Sequence, residues 1–309
     1  MSAPLDKTIR LFVCVAVWLL GSEPVRSQAP ASSNAVPNAV PSVAVAAAPG
    51  AGVKMVSVGH SFHVFMPNIL REMAAAAGIQ GHVQAGLSSI GASRVIQHWN
   101  VAEGKSKAKE VLTAGQVDVL TLAPIFLPDE GIENFAKLAH EKNPAIRVTV
   151  QEFWLPHDWY EPPNMQANPK GGDHNSVTVA ELRERHNAYF WAMDEHVKEL
   201  NAKLGVNVCF VVPVGQAVLA LREKVIGGEA PGVRDQNDLF TDAIGHPKPV
   251  IQVLASYCHY AVTYRTSPVG LKAPSQLGGE KADVALVKML QQLAWQAVTE
   301  HPLSGISAQ

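Results

Sequence analysis

The sequence has little cysteine, no surplus of either charge and no long apolar run, and each shortage closes off a class of protein. Of three cysteines in 309 residues, Cys14 lies in an N-terminal apolar stretch, which leaves Cys209 and Cys258 in the body of the chain. Their spacing is no metal motif, and they read as two buried thiols that could oxidise only if the fold brought them together. Lys and Arg number 25 against 27 Asp and Glu. Without the first 27 residues the balance is 22 against 25, so there is no electrostatic footprint for nucleic acid. The ten-residue run Leu11–Leu20 is too short to span a bilayer comfortably, and no later stretch is long and apolar enough. Twelve histidines are present, but none has the HExxH spacing that sets two metal ligands on one helix face. His60 and His63 share a turn, and His157, Asp158, Asp173 and His174 share one loop. The glycines around Gly86 and Gly91 lack the dinucleotide pattern. No metal and no cofactor are expected.

What is present begins with an export signal. Lys7 and Arg10 form a basic start, Leu11–Leu20 an apolar core, and small residues around Ser27 and Ala29 a cleavage site. Residues 1–27 are therefore expected to be a signal peptide, with secretion or a periplasmic location as the consequence. Residues 28–52 are mostly Ala, Pro, Val and Ser without charge, the composition of a disordered linker. Residues 53–309 are long enough for one α/β domain. Strands are predicted near Lys54–Val58, His82–Ala85, Val117–Leu122, Ile146–Phe153 and Val206–Val212. Helices are predicted near Met66–Ala77, Lys105–Thr113, Gly131–Glu141, Val179–Leu204, Gln216–Ile226, Val250–Tyr264 and Lys281–Thr299. Near-continuous apolar strands alternating with helices indicate a parallel sheet covered on both faces. The longest helix has capping-box spacing at Thr178 and Glu181, and Gly205 as its stop.

Two distant segments carry the chemistry. Val56–Val58 runs through Gly59 and His60 to Ser61 and then into an apolar helical pattern. A serine there sits at the C-terminal edge of the sheet, beside backbone N–H groups able to hold an oxyanion; the alternative is a helix cap. Near the C-terminus, Asp242 and His246 share a tight loop before Pro247. In such a turn a carboxylate can orient an imidazole whose other nitrogen faces a serine; the alternatives are a turn residue and a helix-entry residue. The segment Trp154–Ser176 leaves the same sheet edge and reads either as a pocket-shaping loop or as a surface loop packed by its own aromatics. Trp99, Trp154 and Trp159 are candidates for substrate stacking or for buried anchors. Glu152 ends the fourth strand, and Asp129 suits a helix N-terminus.

The blocks Val58-Gly-His-Ser61-Phe62 and Phe240-Thr-Asp242 to His246-Pro247, with Gly86-Leu-Ser-Ser-Ile-Gly91 and His98-Trp99 between them, resemble the SGNH (GDSL-like) hydrolase superfamily. The similarity is to its divergent secreted bacterial branches and spans roughly Lys54 to Pro302. It implies a three-layer α/β/α sandwich with a five-stranded parallel sheet of flavodoxin-like type. It also implies a cofactor-free serine esterase acting on acyl esters, including acetylated carbohydrates. Ser61 would be the nucleophile, His246 the base and Asp242 its orienting acid, with the oxyanion held by the N–H groups of Ser61 and Gly86. Three departures accompany the resemblance. His60 stands where the family often has Asp or Asn. Three residues separate Asp242 from His246 where two are usual, with Gly245 available to absorb the extra one. The Asn expected after the third strand is missing from Leu120–Phe126, with Thr121 or a residue of the Trp154 loop as a substitute. That gap motivates the alternative of a catalytically weak or inactive carbohydrate-binding relative.

Overall fold

The computed structural model describes residues 50–159 and 172–307. The expected signal peptide, most of the expected linker and the middle of the Trp154–Ser176 loop lie outside those residues. Five strands form one sheet: β1 (Lys54–Gly59), β2 (Val83–Ser89), β3 (Val119–Leu122), β4 (Arg147–Glu152) and β5 (Cys209–Pro213). All pairings are parallel and the order is β2-β1-β3-β4-β5. Every residue of β3, β4 and β5 is buried, as expected of parallel strands covered on both faces. β2 forms one edge and is partly exposed. The result is the flavodoxin-like α/β/α sandwich anticipated from the sequence. In this strand order the chain leaves β1 outward for β2 and then crosses back to β3. The crevice beyond the C-terminal ends of β1 and β3 is thus the topological switch point, where open α/β sheets place their ligands.

Eight helices are described: α1 (Met66–Ala76), α2 (Val95–Trp99), α3 (Lys107–Thr113), α4 (Glu130–Lys142), α5 (Val179–Leu204), α6 (Val214–Ile226), α7 (Pro249–Tyr264) and α8 (Val284–Glu300). α5 has the limits read from its pattern. The Thr178 hydroxyl accepts from the Glu181 N–H, the Glu181 carboxylate accepts from the Thr178 N–H, and Gly205 closes the helix at φ 69°. α8 begins three residues later than expected, because Asp283 accepts the Ala285 and Leu286 N–H groups and fixes the start there. The short α2 was not anticipated. Its first N–H groups, from Val95 and Ile96, donate to Asp129 at 2.7 and 3.0 Å, and the same carboxylate accepts from Gly131 at the start of α4. Asp129 therefore caps two helices from different parts of the chain. Cys209 and Cys258 are both free and buried, and burial pushes the Cys209 thiol up to about 12.

Candidate active site

Ser61 lies in the turn that joins β1 to α1. It does not cap the helix, which starts five residues later with Phe65 as its N-cap. Its Oγ is instead 2.9 Å from Nε2 of His246. The turn folds back on itself through the His63 and Val64 N–H groups, both bonded to the His60 carbonyl at 2.8 and 3.0 Å. This tight path requires a residue without a side chain at Gly59, where a Cβ would lie 2.8–3.1 Å from the His63 ring and Ala123. His60 braces the turn from inside: its Nδ1 accepts the Phe62 N–H at 3.3 Å, and its ring meets Phe62 and Phe153 edge-on. Burial, reinforced by the charges of His63, His98 and His246, lowers the His60 pKa to about 3. A neutral ring is what the acceptor role needs.

Gln151, which the sequence reading passed over, completes this support. Its side-chain amide donates to the Phe62 carbonyl at 3.0 Å. Its oxygen lies 2.8 Å from both His63 Nδ1 and His259 Nε2, so each ring carries its hydrogen on that nitrogen. Burial lowers the pKa of His63 to about 4 and that of His259 well below its usual value. The three buried histidines are thus structural neighbours of the Ser61 turn. The signal available in the sequence was a glutamine inside an otherwise buried strand.

Asp242 and His246 arrive on a turn closed by the Phe240–Pro247 bridge. His246 Nδ1 is 2.7 Å from Asp242 Oδ2. The second carboxylate oxygen accepts the N–H groups of Ile244, Gly245 and His246 at 3.0–3.2 Å. The one-residue excess between Asp and His is absorbed as anticipated, by Gly245 at φ 93°, a conformation that L side chains rarely adopt. Burial opposes ionisation of Asp242, but the bonds from the His246 ring and backbone win and hold its carboxyl below the ordinary range. The His246 ring stacks on Phe62 at 5.2 Å and 26°. With side chains 34% and 43% exposed, His246 and Asp242 are open to solvent.

The described part of the loop after β4 grips this turn. Trp154 Nε1 donates to the Gly245 carbonyl at 2.8 Å, the His157 N–H to the Ile244 carbonyl at 2.9 Å, and His174 Nε2 to the Asp242 carbonyl at 2.9 Å. Behind them, Asp158 binds Arg222 of α6 through both carboxylate oxygens and His174 Nδ1 at 2.9 Å. Burial alone would raise the Asp158 pKa, but the His174 hydrogen bond and the Arg222 charge hold it well below the usual carboxylate range. Asp158 and His174, which share a histidine-rich loop in the sequence, do meet, with Arg222 as their partner. Among the described residues no group of three or more His, Cys, Asp or Glu could hold a metal. Arg222 itself could have been noticed, since it falls on the apolar side of α6 beside Val218, Leu221 and Val225.

Several expected site residues are placed elsewhere. Gly86 pairs with Val56 in the middle of β2, buried against Lys107 and Val111 of α3. Ser89 is the residue that pairs with Gly59 at the sheet edge, so Gly86 sits about 10 Å short of it at the rise of a parallel strand. The glycine of that block that passes the edge is Gly91, exposed in the turn after β2. Thr121 is fully buried opposite Ser57 and cannot replace the missing Asn. Trp154 is 1% exposed and is a brace rather than a stacking platform. Trp99 packs edge-on against Phe135 with Lys109 over its ring, and Trp159 is half-buried under the Arg185 guanidinium.

Among the described residues Glu152 has no ion-pair partner at bonding distance; it accepts from the Gln216 side chain at 3.1 Å and backbone at 3.4 Å. Burial, its largest influence, raises its pKa from 4.5 to about 7. The folded protein therefore holds more protons than the unfolded chain between those values, and stability falls as pH rises through that window. Glu152→Gln is expected to flatten the fall and to add roughly 3 kcal/mol above pH 7, as read by urea denaturation at pH 5 and pH 8.

Fold and geometry together define the class: a flavodoxin-like α/β/α domain with a serine, a histidine and an aspartate in one hydrogen-bonded line at its switch point. No protein-family model and no curated protein matches the sequence. Among solved structures, a DUF4886 family protein from Bacteroides uniformis is similar over 81% of this chain and 95% of its own, with 14% identity and a TM-score of 0.52. That likeness is one of fold. A candidate GDSL-like lipase from Parabacteroides merdae aligns over 83% of this chain and 98% of its own at 10% identity, but its TM-score is 0.36. WcbI, a polysaccharide biosynthesis enzyme, aligns over 74% of each chain at 16% identity with a TM-score of 0.34.

Proposed function

We propose that the protein is an exported SGNH-like serine esterase that cleaves acyl esters without a cofactor. The observation that carries this reading is the line Ser61 Oγ to His246 Nε2 at 2.9 Å and His246 Nδ1 to Asp242 at 2.7 Å. His246 takes the serine proton as the hydroxyl attacks the ester carbonyl, and returns it to the leaving alcohol. Water then repeats the cycle on the acyl-enzyme. Asp242 fixes the imidazole so that Nε2 faces the nucleophile and steadies the charge that forms on it. Export rests on the composition of residues 1–27. The deacetylation of carbohydrates stays a narrower form of the proposal, with Trp159 as the remaining candidate for sugar stacking.

For the oxyanion, the Ser61 N–H is retained as one donor and Gly91 replaces Gly86 as the other. Gly91→Pro removes that N–H and is expected to lower kcat on the order of 10²–10³. Gly91→Ala keeps it, in a position where an added Cβ meets nothing within 4 Å, and should leave kcat near wild type. Equal rates in the two variants would exclude Gly91. The absent Asn after β3 and the buried Thr121 support a second reading, a carbohydrate-binding relative with weak or no catalysis. A fluorophosphonate probe separates the two: it labels the esterase at Ser61, and leaves an inactive relative unlabelled while sugar binding persists.

A further inference from the structure

We propose that His174 is a positioning residue for this site: it holds the turn that carries Asp242 and His246 by donating from both ring nitrogens. The inference deepens the esterase reading and rests on it for its catalytic consequence. His174 Nδ1 lies 2.9 Å from Asp158 Oδ2, and Nε2 lies 2.9 Å from the Asp242 carbonyl oxygen. A carboxylate and a carbonyl only accept, so the ring meets each of them as a donor. Arg222 fixes that carboxylate from the other side and also reaches the His174 carbonyl through Nη2 at 3.3 Å. The side chain of His174 is 5% exposed, and its ring packs on Phe240 at 4.4 Å.

Among the described residues the charged groups around the ring are few. Asp158 faces it from the loop after β4, Arg222 from α6, and Asp242 from the turn; Asp173 precedes it on its own segment, and Arg185 of α5 reaches the Asp158 carbonyl at 3.1 Å. Among the described residues three donors hold three carbonyls of the turn, from Trp154, His157 and His174; the last is tied through its other ring nitrogen to the buried Asp158–Arg222 pair. The protein thus contains a second Asp–His pair behind the first. The outer one sets the backbone of the turn, and through it the distance from His246 to Ser61.

The test compares wild type, His174→Ala and His174→Gln in the full chain, with 4-nitrophenyl acetate as substrate and hydrogen exchange of the Ile244–His246 amides as a readout independent of activity. His174→Ala should lower kcat about 10- to 100-fold, the cost of a displacement near 1 Å, with little change in KM, and should speed exchange of those amides. His174→Gln offers a donor to the Asp242 carbonyl, and it should recover most of kcat and slow exchange relative to the alanine variant. Unchanged exchange and kcat in the alanine variant, or a glutamine variant no better than alanine in both, would overturn the proposal. If wild type hydrolyses no ester and takes no fluorophosphonate, the esterase reading fails, and the exchange measurement alone decides the role of His174.

Discussion

Ser61→Ala is expected to abolish fluorophosphonate labelling and to lower ester hydrolysis by about four to six orders of magnitude, the range seen when members of such a triad are removed. The size of the effect follows from how the three residues act. A serine hydroxyl is a poor nucleophile until a base accepts its proton, and His246 Nε2 stands 2.9 Å from Ser61 Oγ. The imidazole can serve only if its other nitrogen holds a hydrogen, and Asp242 at 2.7 Å fixes that tautomer. Asp242→Asn should accordingly cost on the order of 10⁴ in kcat with the fold intact. Mass spectrometry of the labelled protein and steady-state hydrolysis check both variants. Hydrolysis that survives Ser61→Ala and disappears with a chelator would move the chemistry to a metal and refute the triad.

The largest effect on stability is expected at Asp158. Arg222 is 1% exposed and Asp158 4% exposed at their side chains. Removing one member of a buried pair leaves the other charged, desolvated and alone, which costs about 3–5 kcal/mol. Asp158→Ala should therefore lower Tm by roughly 6–20 °C for a domain of this size. His157 and Asp158 both have φ 55°, a backbone state that costs about 1–3 kcal/mol per residue and persists only where its surroundings enforce it. Loss of the carboxylate removes part of that enforcement. Adding Arg222→Met to Asp158→Ala should recover much of the loss, because no unpaired charge then remains. A change below 1 kcal/mol in urea denaturation of the single variant would show that the pair contributes little.

The pH dependence has a definite sign. The Asp158 carboxyl is held low in the folded state, so its contribution is complete above the ordinary carboxylate value of about 4 and is lost as pH falls toward the folded value. Glu152 acts in the opposite direction and at higher pH, since burial raises its pKa to about 7. Together they predict a protein that weakens on both the acidic and the neutral-to-alkaline sides. The Glu152→Gln and Asp158→Ala variants each remove one limb.

The sequence by itself determined the sheet, the helices and the two chemical segments. Apolar runs of strand length alternating with periodic helices admit few arrangements other than a covered parallel sheet, and all five strands and seven of the eight helices fall where those patterns place them. Local chemistry was equally legible: the Thr178–Glu181 box, the Gly205 stop, and Gly245 as the residue able to take a positive φ. Ser61 and His246 could be singled out because their positions depend on strand order, which the alternating pattern fixes.

Tertiary structure decided what depends on register and on contacts between distant segments. Gly86 and Gly91 belong to one short motif, and only the pairing of β2 with β1 shows which of them passes the sheet edge. Trp154 became a brace rather than a platform because its indole nitrogen found the Gly245 carbonyl 91 residues away. In one dimension Asp158 and His174 are no more than neighbours on a loop, and Gln151 and Arg222 no more than polar residues in apolar elements; a buried charge acquires a role only from the partner that neutralises it. The sequence singles out Ser61 and His246, and long-range hydrogen bonds between loops set the distance at which they meet.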